Sequence, residues 1–312
     1  MVHLVDASFF VFRAFHSMPQ HLADVDGRPV NALYGFARFL QDLLERARPE
    51  RIAIAFDESL TSSFRNRLYP AYKANRELPP AELKEQFERC RELCRRLGVA
   101  EFGSPEYEAD DIIGTLATRM RAAGFRSTIV TRDKDLAQLI HEGDEFWDYM
   151  AEERYGYAEI APRFGCRPER LADFLALTGD AVDNVPGVPG VGRKTAAVLL
   201  EHFTCLEDLY DRLDRVPQLG VRGAAGIAER LREHRATAYL ARELTRSACD
   251  MPLAATPATL RRRAPDLDSL GEFYDVAKFG PMLRRQAERI ARHVPAADET
   301  GGPAAAPEAG TG

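Results

Sequence analysis

A mainly parallel α/β sheet followed by a region of helices alone is the fold class that these 312 residues predict. Two features carry that reading. Up to about Ala158, short β-branched runs alternate with longer helical patterns, as in a parallel sheet whose crossovers are helices. Beyond Ala158 the strand signals stop and only helical periodicity continues.

In order, "VHLVD" is a strand, a helix runs near 31–47, "RIAIAF" is a strand, a helix covers about 80–97, and "GVAEF" is a strand. A helix near 108–123, the strand "STIVT", a short helix and "EFWDYM" complete the first region, placed at 1–157. The second region, 158–294, holds "PERLADFLALTG", "GRKTAAVLLEHF", "GIAERLREHRATAYLARELT" and "PMLRRQAERIARHV", all helical in period. The stretch 295–312 lacks side chains large enough to build a core and reads as a disordered tail.

At 45% hydrophobic residues the chain can bury a core. No apolar run approaches the ~18 residues that cross a bilayer, and Asp6 stands where a secretion signal would be basic, so a cytoplasmic protein is expected. The cysteines, Cys90, Cys94, Cys166, Cys205 and Cys249, form no C-x-x-C pair and are expected to be reduced thiols rather than zinc ligands. A net charge of −6 argues against a polyanionic partner only as a sum. Placing nine of the 48 acidic residues around cations leaves 39 against 42 basic ones.

In an open parallel sheet, function gathers outside the carboxyl ends of the strands. Here those ends are acidic: Asp6 after "HLV", Asp57 after "IAIAF", the run "EYEADD" after the third strand, and Asp133 and Asp135 in "IVTRDKD". One such acid is more simply a helix cap. Capping needs one acid per helix, however, and "EYEADD" supplies four. Converging carboxylates raise one another's pKa unless a cation lies among them, and hard ions such as Mg²⁺ or Mn²⁺ suit oxygen donors. Glu108 and Asp111 share a helical face, Asp110 lies in the same first turn, and Glu106 is read as solvated or capping.

In the second region, Asp180 and Asp183 precede "NVPGVPGVGRKTA". Gly187, Gly190 and Gly192, followed by Arg193 and Lys194, suit a turn whose backbone approaches a phosphate at a helix start; a mere tight turn is the blander alternative. Between the second strand and the next helix, Arg65, Arg67, Lys73 and Arg76 interleave with Phe64, Tyr69 and Tyr72, which suits a strand with exposed bases.

Together, "LVDAS", "FRAFH", "FD", "SFR", "YKANR", "EYEADD", "RDKDLAQL" and "GDAVDNVPGVPGVGRKTA" resemble the 5′ nuclease (flap endonuclease) family over about residues 2–290. They are most similar to the 5′ to 3′ exonuclease domain of bacterial DNA polymerase I and its stand-alone relatives. The resemblance implies a PIN-like nuclease core joined to a helix-three-turn-helix domain of the helix-hairpin-helix type, with its hairpin at 185–195. It further implies a structure-specific enzyme of replication and repair that cuts DNA at 5′ ends, flaps or nicks with two or more Mg²⁺ or Mn²⁺ ions, leaving a 5′-phosphate and a 3′-hydroxyl. A first ion cluster would use Asp6, Asp57, Glu108, Asp110 and Asp111, and a second Asp133, Asp135, Asp180 and Asp183. Lys73 and Arg76 would be catalytic on an arch over about 61–97, with Tyr72 as a stacking platform and Arg13 and Arg65 as further DNA contacts. The turn from Gly187 to Lys194 would grip duplex, and in some members such a turn holds K⁺. A monomer partnered by a DNA polymerase or another repair factor is expected. With no polymerase or proofreading segment before Gly312, the expected protein is stand-alone.

Ala7, Glu58 and Arg132 depart from the family pattern, and Arg132 stands where it would compete with a cation for Asp133. Two rival classes are a non-catalytic binder of DNA structures and a PIN-type ribonuclease or phosphatase.

Overall fold

Five parallel strands and one antiparallel edge strand form a single sheet in the order β3-β2-β1-β4-β5-β6. They are β1 (Val2–Asp6), β2 (Arg51–Asp57), β3 (Ala100–Ser104), β4 (Ser127–Val130), β5 (Glu145–Asp148) and β6 (Glu153–Gly156). The computed structural model describes residues 1–58, 61–221 and 223–294, so the expected tail at 295–312 lies outside the described residues. Helices α1 (Ala7–Ser17), α2 (Asn31–Ala47), α3 (Phe64–Leu68), α4 (Ala81–Arg96) and α5 (Ala109–Ala122) punctuate the strands. After the sheet come α6 (Tyr157–Phe164), α7 (Leu171–Thr178), α8 (Arg193–His202), α9 (Leu206–Asp211), α10 (Ala224–Glu233), α11 (Arg235–Thr245), α12 (Leu267–Val276) and α13 (Pro281–Ala291).

Strand alternation assigns the two faces. Leu4, Ala53, Ala55 and Ile129 turn one way, onto Ile112, Ile113 and Leu116 of α5 and onward to α7, α8 and α11. Val5, Ile54, Phe56 and Val130 turn the other way, onto Leu33, Phe36, Leu40 and Leu44 of α2 and Leu83, Leu93 and Leu97 in and just after α4. Both faces are covered, which is why these strands read as unbroken apolar runs. Because β1 is central and flanked by β2 and β4, the chain changes direction across the sheet there, and the crevice outside the carboxyl ends of β1, β2 and β4 is the switch point.

Three elements differ from the sequence reading. The segment "ASFFVFRAFHS" forms α1, its aromatic content having masked helical spacing. The strand β5 is followed by a hairpin partner, β6, too short to announce itself. The expected single helical unit over 158–294 also fails for its last two helices. Leu283, Ala287 and Ile290 of α13 and Leu270, Phe273 and Tyr274 of α12 join the α2 and α4 side of the sheet, because their apolar stripes match that surface.

Candidate active site

Strand ends and helix starts deliver the acids to one rim. Asp6 ends β1 and is 6% exposed. Its Oδ1 accepts from the Phe9 amide at 3.4 Å, capping α1, and its Oδ2 accepts from Thr131 Oγ1 at 3.0 Å. Asp57 ends β2, receives the Ala109 amide at 2.8 Å, and has its own amide held by Ser8 Oγ at 3.0 Å. The carboxyl end of β2 is thereby bonded to the first turn of α5. Asp133 accepts from the Asp135 amide at 2.9 Å and donates its own amide to Thr131 Oγ1 at 2.9 Å. Thr131, buried between two acids, is a site residue that a search for acids alone does not find although it stands inside "IVTRDKD". Capping is therefore real at several of these positions, and it coexists with crowding of like charge.

The crowding shows in the electrostatics. Burial, assisted by Asp57 and Asp133, pushes Asp6 up to about 7. Asp135 is likewise pushed up to about 7, by burial first and then by Asp133 and Asp180. Asp110 lies well above the usual carboxylate range through burial, Asp133 and Asp6. Asp133, though its side chain reaches the exposed rim, is raised by desolvation in the cleft and by Asp183. Glu108 goes the other way: burial raises it, but Lys73 and Arg65 together hold it below the ordinary value.

Cations from the expected arch stand among these acids. Lys73 Nζ lies 3.0 Å from Glu108 Oε2 and 3.7 Å from Asp183 Oδ2, and Arg76 pairs with Asp183 Oδ1. Lys73 has a left-handed backbone at φ 54°, and its amide donates to the Asp183 carbonyl at 2.9 Å. Asn184 Nδ2 donates to the Ala71 carbonyl at 2.7 Å and Asn75 Nδ2 to the Ala181 carbonyl at 3.2 Å. The "YKANR" segment thus lies on the turn that Asp180 and Val185 close through paired backbone bonds. What remains between Glu108, Asp110, Asp135, Asp180 and Asp183 is a cavity of about 20 Å³, room for one water-sized body.

Other expected residues are placed differently. Asp111 is fully buried and faces Arg65 rather than the cleft: it receives Arg65 NH1 at 2.7 Å and NH2 at 2.8 Å, with the Glu108 and Ala248 amides at 3.0 Å and 2.7 Å. Both oxygens are saturated, so Asp111 does not fit as an ion ligand. Arg65, 2% exposed, does not fit as a DNA contact. Tyr72 is 4% exposed with its hydroxyl 3.0 Å from Glu108 Oε2, so its ring is not available to stack on a base. Arg13 is exposed on α1. Arg132 lies 3.6 Å from Asp148, and Glu58 2.9 Å from Arg91, so neither is paired with an acid of the site.

The glycines of the hairpin divide by role. A Cβ on Gly187 would meet the Gly179 nitrogen and Thr178 carbonyl carbon at 2.5 Å, so this glycine serves close packing, and Gly190 serves a left-handed turn at φ 76°. Gly192, the N-cap of α8, has nothing within 4 Å of such a Cβ. It alone of the three suits close approach of a phosphate, next to exposed Arg193 and Lys194. Beside Asp57, a second groove of about 450 Å³ is lined by Phe12, Phe56, Leu78 and Phe87 together with Glu58, Glu85, Glu88, Lys84 and Arg91.

As the side chains stand, no three His, Cys, Asp or Glu among the described residues close around a metal position. The donor set nevertheless fits hard divalent ions: it is all carboxylate, Asp6, Asp110, Asp133 and Asp135 are raised by burial and like charge, and Asp135 Oδ1 is buried without a partner.

A family model described as 5′-3′ exonuclease, N-terminal resolvase-like domain, matches residues 1–165, and one described as 5′-3′ exonuclease, C-terminal SAM fold, matches 166–268. The chain belongs to the 5′-3′ exonuclease family. Among curated members, the DNA polymerase I of Rhizobium leguminosarum is 39% identical over 292 residues, covering 91% of this chain and 28% of the relative. That of Pseudomonas aeruginosa is 38% identical over 281 residues, covering 90% and 31%. This exonuclease-family chain spans about a third of the length of such relatives. In fold it is similar to T5 5′-exonuclease with bound divalent zinc, at TM-score 0.63 and 19% identity over 93% of this chain and 98% of that one. The catalytic core of Rad2 in complex with DNA substrate gives TM-score 0.61 and 17% identity over 94% and 92%.

Proposed function

We propose that this protein is a structure-specific 5′ to 3′ exonuclease and flap endonuclease that hydrolyses phosphodiester bonds in DNA with Mg²⁺ or Mn²⁺. The observation that carries the reading is the convergence of acids from β1, β2, the start of α5, the turn after β4 and the 180–183 turn, among which Asp6, Asp110, Asp133 and Asp135 are raised by burial and by neighbouring carboxylates. Asp6, Asp57, Glu108 and Asp110 would hold one ion and Asp133, Asp135, Asp180 and Asp183 another. Ions bound there would supply an acidified water and neutralise charge on the phosphate. Asp111 supports the set from behind.

The chain's own residues do the rest. Thr131 fixes Asp6 and the Asp133 backbone together. Lys73 and Arg76, now on Glu108 and Asp183, are within reach of a phosphate that enters between them, where they would stabilise charge developing in the transition state. The α8 N-terminus, with Gly192, Arg193 and Lys194, would hold the duplex backbone without reading sequence. We further propose a cytoplasmic monomer that acts with a DNA polymerase.

Incubation with a 5′-flap duplex, single-stranded RNA and a phosphomonoester, with Mg²⁺ or with chelator, tests this directly. Flap cleavage that chelator abolishes is expected. RNA or monoester hydrolysis alone, or flap binding without cleavage, overturns it in favour of a ribonuclease or phosphatase, or of a non-catalytic binder.

A further inference from the structure

Arg65 makes four hydrogen bonds from its buried guanidinium. Its Nε donates to the Leu244 carbonyl at 2.8 Å, NH1 to Asp111 Oδ2 at 2.7 Å, and NH2 to Asp111 Oδ1 and the Arg246 carbonyl, both at 2.8 Å. Its NH1 is also 3.5 Å from Glu108 Oε2. These contacts join three separate pieces of chain: α3, the first turn of α5, and the backbone where α11 ends. Asp111 closes the circuit by receiving the Ala248 amide at 2.7 Å. In turn α11 packs on α7, and α7 leads straight into the turn that carries Asp180 and Asp183.

We infer that Arg65 and Asp111 are a positioning pair that sets the distance between the carboxylates of the sheet and those of the helical region, so that two ions can share one phosphate. This rests on the two-ion reading above. The physical case is the geometry of the guanidinium: a planar fork, buried with four of its five donors bonded to acceptors on two separate pieces of chain, fixes orientation as well as distance. A lysine keeps the charge opposite Asp111 but cannot bond two oxygens and two carbonyls in one plane. Of the first group of acids, Asp6 and Asp57 are anchored on the sheet and Asp110 on α5, and only Glu108 also touches Arg65, at 3.5 Å. The second group draws on both the sheet side, Asp133 and Asp135, and the helical side, Asp180 and Asp183. Loosening the joint therefore acts mainly on the second ion.

The test is a Mn²⁺ titration of the full chain by electron paramagnetic resonance, with amide hydrogen exchange on the ion-free protein. Wild type is expected to bind two ions. In Arg65→Lys the weaker ion should lose about tenfold in affinity, equivalent to about 1.4 kcal/mol, while the tighter ion changes little. The Ala248 amide should exchange faster without any ion present, and kcat on a flap substrate should fall with KM unchanged. If Arg65→Lys does not fold, Asp111→Asn, which keeps the shape and removes the charge, should show the same split. A lower Tm with both ion affinities intact would make the pair merely structural and overturn the inference. A wild-type protein that takes up no Mn²⁺ would sink the two-ion reading itself, and this inference with it.

Discussion

Lys73 shows how one side chain can serve two states. Burial alone would lower its pKa, yet Glu108, Tyr72 and Asp183 outweigh that and keep the ammonium charged. In the ion-free protein it supplies the positive charge that the acids lack, and any ion that takes Glu108 must displace it. Replacing it should then move two measurements in opposite directions. Lys73→Met is expected to tighten binding of the first Mn²⁺ and to slow the single-turnover rate by roughly 10²-fold, the usual loss for one transition-state donor. Weaker ion binding together with an unchanged rate would show that Lys73 supports the fold and not the reaction. The lysine itself was legible in "YKANR"; its pairing was not, because the left-handed backbone at Lys73 and the bond to the Asp183 carbonyl join residues 110 positions apart.

At the level of elements, the sequence suggests one purpose for the three glycines between α7 and α8, and the structure separates them. Gly187→Ala forces a methyl onto the backbone of Thr178 and Gly179, neither of which can yield, and should cost about 1–3 kcal/mol of stability in urea unfolding. Gly192→Ala meets open space and should leave stability within about 1 kcal/mol while weakening duplex binding at the α8 N-terminus. Equal midpoints for the two variants would erase the distinction. The same limit of sequence reading applies to Arg65 and Tyr72. Arg65 in α3 and Tyr72 after it belong to a segment whose basic and aromatic mixture looks exposed, and both are interior because partners distant in the chain, Asp111 and Glu108, receive them. Periodicity cannot show that, since neither partner lies within a helical or strand repeat of the other.

For the molecule as a whole, mutual repulsion in the cleft predicts a pH dependence with a definite sign. Asp6 and Asp135 bind protons more tightly folded than unfolded, so their contribution is fully present below the unfolded value of 3.8 and is lost as pH rises through about 7. Chelated protein should therefore lose Tm between about pH 5 and about pH 8, and Mn²⁺ should restore more at the upper end, where it no longer competes with protons. A flat Tm, or an ion effect equal at both ends, would show that these acids do not meet. What the sequence alone determined was the parallel sheet, its acidic carboxyl ends and the change to helices near Ala158, because β-branched runs and helical spacing are local properties of the chain. Only the tertiary structure decided which acids face the cleft and which are neutralised from within, and that α12 and α13 return to the sheet. Those outcomes depend on which surfaces and charges meet across hundreds of residues, and burial and pairing energies exist only once they have met.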